Sequence, residues 1–174
     1  MKTMHLASLS NCCLRISNYP YFNYNGSGGG GIAEVKTEQN KDIKYLKFDK
    51  NTFNIPPLTW KTTKFLGFPM LPGLKISMLL HKLEGTFDEK SGKLLLEFES
   101  KFILSILNVL KFPELDVKTC LTTDKKKTLL NDVEGKCVGV RGEVTLVGIA
   151  IIPPSGNKLL DYFLQLPNEA LAIC

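Results

Sequence analysis

The chain has 174 residues, of which 44% are hydrophobic and 22% charged. That balance supplies one ordinary core and excludes both a second full-sized domain and a wholly disordered chain. Its formal charge of +5 is partly local, because Lys2 and Arg15 are the only cations among residues 1–33; without them 20 cations face 17 acids, too slight an excess to mark nucleic acid as a partner. Arg141 is the only arginine after Arg15, so bidentate recognition of phosphate or carboxylate is confined to one position in the body of the chain.

Residues 1–33 contain no acid; the first is Glu34. The stretch is rich in hydroxyl and amide side chains (Thr3, Ser8, Ser10, Asn11, Ser17, Asn18), which predicts a plastid transit peptide. A secretory signal needs an unbroken apolar run, and Ser8, Ser10 and Asn11 interrupt the one between Leu6 and Leu14. A mitochondrial presequence needs more arginine and no helix breaker such as Pro20. The same composition also fits an ordinary flexible tail. The glycine run at 26–31 lacks a following Gly-Lys-Ser/Thr and is read as a linker rather than a phosphate loop. Residues 34–52, polar and mixed in charge, extend that linker, so a single β-rich domain is expected over 53–174.

The five cysteines, at 12, 13, 120, 137 and 174, form no Cys-x-x-Cys pair. The three beyond the leader are an odd number, which points to reduced thiols packed as small hydrophobes. A Cys120–Cys137 bridge is the minor alternative.

From Phe53 onward Pro56, Pro57, Pro69 and Pro72 forbid a helix and predict an extended lead-in segment carrying Trp60, the only tryptophan. Residues 74–87 read as a strand with Leu74, Ile76, Met78 and Leu80 on one face. Asp88 to Gly92 is a hairpin turn. The return strand, 93–104, alternates most clearly, with Leu94, Leu96, Phe98, Phe102 and Leu104 inward and Lys93, Glu97, Glu99 and Lys101 outward. A third strand follows at 115–124, then an exposed connection over 124–136, whose three lysines are too few for a nucleic-acid footprint. Residues 138–152 predict a long strand, bent by Gly139, Gly142 and Gly148. That run is too short and too often interrupted to span a bilayer, and no transmembrane segment is expected. Ser155 or Asn157 caps a short helix over 158–166, with Leu159, Leu160, Phe163 and Leu164 at helical spacing and Pro167 as its stop. The fold class is thus all-β or β-dominated α+β: a curved antiparallel sheet, half-barrel or barrel-like, with one C-terminal helix.

No nucleophile elbow, P-loop, dinucleotide fingerprint or zinc spacing occurs, so no catalytic residue, metal or cofactor is expected. His81 is the only histidine outside the leader, and it is placed at the polar edge of its strand. The stretch 65–172 resembles a family of uncharacterised plant chloroplast proteins with cyanobacterial relatives. The likeness rests on Leu71-Pro72-Gly73-Leu74-Lys75-Ile76, on Glu84-Gly85 with Leu96-Glu97-Phe98, on Leu115-Asp116-Val117-Lys118-Thr119 with Leu121-Thr122-Thr123, on Leu146-Val147-Gly148-Ile149-Ala150, and on Phe163-Leu164-Gln165-Leu166-Pro167. It implies a chloroplast location, in the stroma or at the stromal face of the thylakoid, and no known catalytic residues.

Three functional readings follow. The first is a binding site for an apolar small molecule (lipid, pigment or isoprenoid) lined by Met78, Phe98, Phe102, Val144 and Leu146 with Arg141 beside them. The second is a structural or assembly role at the thylakoid through a plastid protein partner, docked on Trp60, Phe65, Phe68 and Met70. The third is an enzyme, which would need a polar pocket joining His81, Arg141 and an acid.

Overall fold

The structure, a computed structural model, describes residues 2–37 and 42–174. Strands begin at once: β1 (Lys2–Ala7), β2 (Cys12–Ile16) and β3 (Phe22–Tyr24), followed by β4 (Gly30–Thr37) and β5 (Ile43–Phe48). The short strands β6 (Thr63–Phe65) and β7 (Phe68–Pro69) lead into the two longest, β8 (Leu74–Asp88) and β9 (Lys93–Ile106), and β10 (Leu110–Lys111) folds back on the end of β9. Then come β11 (Leu115–Thr122), a hairpin of β12 (Lys125–Lys127) and β13 (Asp132–Glu134), β14 (Val147–Ile152), the helix α1 (Lys158–Leu164) and β15 (Asn168–Ile173).

All these strands except β12 and β13 form one 13-stranded sheet in the order β1-β4-β5-β8-β9-β11-β14-β15-β2-β3-β6-β7, with β10 beside β9. Every pairing is antiparallel. The sheet curls into a half-barrel, the expected fold class. Chain connectivity sets the curl: β1 lies at one edge and β2 eight places further along, yet only residues 8–11 join them. Such a link spans at most about 18 Å, so the sheet must bend round to bring the two strands within reach.

Residues 2–37 and 43–48, expected as leader and flexible linker, supply five strands, with Cys12, Tyr24, Ala33, Leu46 and Phe48 in the core. Met4, Leu6 and Val35 pack against the same core. Half-buried strands with a polar outer face have the overall composition of a disordered tail, and only their alternation tells them apart.

The hairpin β8–β9 carries the central interior. Simple alternation would put Leu83 and Phe87 on the face opposite Leu74, Ile76, Met78 and Leu80. The register shifts between Leu80 and Lys82, leaving His81 as a bulge, so Leu83 pairs with Phe98 and Phe87 with Leu94 on the same interior face. Three packed clusters fill that side: one around Leu46, Leu83, Leu94 and Leu96; one around Leu115, Val117, Ile152 and Leu160 of α1; one around Cys12, Tyr24, Leu58 and Met70. Phe98 touches the first two.

Two further expectations change. The long strand over 138–152 is only Val147–Ile152, because Gly139 and Glu143 close a turn before it. The thiol reading also fails: Cys12 and Cys174 are disulfide-bonded, and Cys120 and Cys137 are exposed rather than packed.

Candidate functional site

The residues expected to line an apolar pocket do not form one set. Met78, Phe98, Phe102 and Val144 are half-buried, and Leu146 is buried, all within or against the packed clusters. Arg141 stands apart in the exposed turn before β14, its backbone N–H donating to Glu143 at 3.1 Å. His81 lines a shallow depression of about 180 Å³ on the outer face with Glu99, Ser100, Lys101, Asp116 and Lys118. His81 and Arg141 are therefore not brought together.

The expected docking strip also divides. Met70 is buried, Phe65 stacks on Phe22 with ring centroids 4.7 Å apart, and Trp60 lies in the turn 59–62 beneath the Lys61 ammonium. Trp60 is 48% exposed and Phe68 projects furthest of the four, 75% exposed.

What the structure assembles instead is one apolar end of the half-barrel. The registers place the start of β8 (Leu74) against the end of β9 (Ile106), the start of β11 (Leu115) against Phe102, the end of β14 (Ile152) against the start of β15 (Asn168), and the end of β2 (Ile16) against Ala170. Phe22 at the start of β3 pairs with Phe65 at the end of β6. The connections leaving this end are thus residues 17–21, the β6–β7 turn, the turn at 70–73, the β9–β10 loop and the segment holding α1. These connections and the strand ends beside them expose Tyr21; Leu66, Phe68 and Leu71; Ile106, Leu107, Val109 and Leu110; and Leu159, Tyr162 and Phe163. These are 11 of the 21 exposed large apolar residues among the described residues. The tip of the β12–β13 hairpin, held by Asn131 Nδ2 and Thr128 Oγ1 donating to Glu169 at 2.7 Å, adds Leu129 and Leu130 at the side. The opposite end carries charged groups in the Asp88–Gly92 turn, Asp124 and Arg141, with Val140 and Leu9 exposed among them.

Each apolar loop is fixed. Leu66 and Gly67 form a two-residue turn with φ of 51° and 82°, the conformation of a type I′ hairpin usually supplied by Asn-Gly. Leu107 has φ 52°, and its N–H donates to the Gly73 carbonyl at 2.7 Å. A Cβ on Gly73 would sit 2.6 Å from Leu107 Cδ2, so this glycine makes the contact possible. A left-handed leucine costs roughly 1–2 kcal/mol, and both leucines are exposed at their tips, 64% and 70%. Neither position serves the core. The 17–21 loop is bound to α1 by Ser17 Oγ donating to the Leu164 carbonyl at 2.6 Å, and Arg15 Nε donates to the Tyr19 carbonyl at 3.1 Å. Asn157 caps the helix, its Oδ1 accepting from Leu160 N–H at 3.0 Å. Of the helix residues expected to pack, Leu160 is buried and Leu164 half-buried, while Leu159 and Phe163 face outward.

Charge follows a pattern at this end. Residues 50–83 and 100–113 contain no acid. Asp161 is engaged, since the Ser155 hydroxyl and the Ser155 and Gly156 N–H groups hold its carboxyl below the usual range. Glu114 pairs with Lys101, whose ammonium it pushes upward. Lys64, Lys111 and Lys158 are exposed and belong to none of the ion pairs among the described residues. Sequence reasoning missed most of this end; the acid-free windows and the Leu-Gly turn were the signals that could have found it.

No protein-family model, curated protein or solved structure matches the chain. Among the described residues no helix is long and apolar enough to cross a membrane.

Proposed function

We propose that this is a non-enzymatic docking protein that attaches by the apolar end of its half-barrel, in the structural or assembly role expected at the stromal face of the thylakoid. One observation carries this reading: exposed Leu, Phe, Val and Tyr side chains from five separate connections gather at one end, held there by turns that favour exposure over local backbone comfort. The test is fractionation of cells or plastids expressing the full chain. The wild type is expected in the particulate fraction, and a Phe68→Ser, Val109→Ser double variant in the soluble one; a wild type that stays soluble overturns the reading.

A second reading is an apolar ligand on the inner face. It is favoured by Met78, Phe98 and Phe102, which point inward yet remain half-buried. Native mass spectrometry of protein from its source tissue tests it, and a consistently empty chain counts against it.

A further inference from the structure

We propose that the partner of this apolar end is an anionic lipid bilayer, an inference that rests on the docking reading and names its occupant. Leucine and aromatic side chains interspersed with lysine suit a bilayer interface, where rings sit at headgroup level and ammonium groups meet lipid phosphates or sulfonates. Lysine is by contrast depleted at protein–protein interfaces. Lys64 and Lys111 flank the exposed tips of Leu66, Phe68 and Val109, and no acid occurs in the windows 50–83 and 100–113 that carry them. A negatively charged plane satisfies that one-sided charge.

Shape agrees with composition. The apolar groups stand on tips from separate connections instead of lining a groove. Tips that carry leucine at left-handed positions suit shallow insertion into a fluid phase, which moulds itself around them. Leu107 is braced by its hydrogen bond to Gly73, so the apex stays extended without a partner present. Tyr162, 86% exposed, offers an apolar ring with a hydroxyl for the headgroup layer.

Sedimentation of the full chain with vesicles tests the proposal. Binding is expected to phosphatidylcholine vesicles containing phosphatidylglycerol, far less to phosphatidylcholine alone, and to fall as salt rises. Lys64→Gln and Lys111→Gln should each weaken binding about fivefold. Phe68→Ser and Val109→Ser should each weaken it about tenfold or more, with circular dichroism confirming an unchanged fold. Absence of binding to the anionic vesicles, or binding indifferent to these four exposed substitutions, overturns the lipid assignment. If vesicles fail while particulate attachment in cells still depends on Phe68 and Val109, the partner is a protein and the docking reading alone survives. If both fail, both readings fall.

Discussion

Cys12 and Cys174 stand opposite one another where β2 begins and β15 ends, joined by a disulfide although 162 positions separate them. The register that pairs Cys13 with Ile173 carries the match one step further and puts the two sulfurs together. A crosslink enclosing nearly the whole chain removes much unfolded-state entropy, so reduction, or Cys12→Ser with Cys174→Ser, should lower unfolding free energy by about 3–5 kcal/mol. Denaturant titration with and without reductant measures this. Peptide mapping that finds Cys13 bonded, or Cys12 as a thiol, would sink the assignment.

Deleting residues 1–33 should abolish the native sheet, because it removes β1, β2, β3, half of β4 and the Cys12 side of the disulfide. Near-ultraviolet dichroism and amide exchange of the truncated chain against the full one decide the matter. A truncated chain with native protection would show that these strands are dispensable, as a removable leader would be.

How far the fold was legible depended on where each strand lies. β9 and β11 declare themselves because they alternate for eight or more residues with a charged outer face, as in Leu94, Leu96 and Phe98 against Glu97 and Glu99, and β8 alternates from Leu74 up to its bulge at His81. β1 to β5 are shorter, and their apolar residues sit among serine, asparagine, glycine and lysine, so composition overrode period. The disulfide was invisible because sequence spacing holds no record of a sheet that curls until its N-terminal strand meets its C-terminal one. The apolar end escaped for a related reason: it is built from connections, and their residues gain a common meaning only once the registers place them at the same edge.

Burial gives Tyr24 a pH signature. Desolvation pushes its phenol up to about 12 from 10.0, and its hydroxyl donates to the Pro56 carbonyl. A folded value above the unfolded one favours folding fully below pH 10.0, and that contribution is lost as pH rises through about 12. Stability should therefore fall across this alkaline window, and Tyr24→Phe should reduce the slope there. Tyrosinate absorbance followed together with unfolding checks it; an identical slope in the variant would show that Tyr24 does not carry the effect.

The sharpest contrast lies along β9, where neighbouring residues face opposite ways. Phe98 packs against both the Leu83–Leu96 cluster and the Leu115–Val117 cluster, and Phe102 against the second. Glu97 and Lys101 lie on the outer face, paired with Lys82 at 2.6 Å and Glu114 at 2.5 Å. Truncating Phe98 to Ala should cost about 3–5 kcal/mol, since two clusters lose their common contact and the cavity cannot close from both sides. Phe102→Ala should fall toward the lower end of that range, because it serves one cluster. Glu97→Ala and Lys101→Ala should each change stability by less than about 0.5 kcal/mol, as exposed ion pairs contribute little. Urea midpoints for the four variants separate these outcomes. If Phe98→Ala proves as mild as Glu97→Ala, Phe98 does not join two packed clusters, and the interior is open enough there for a ligand to take the place of packing.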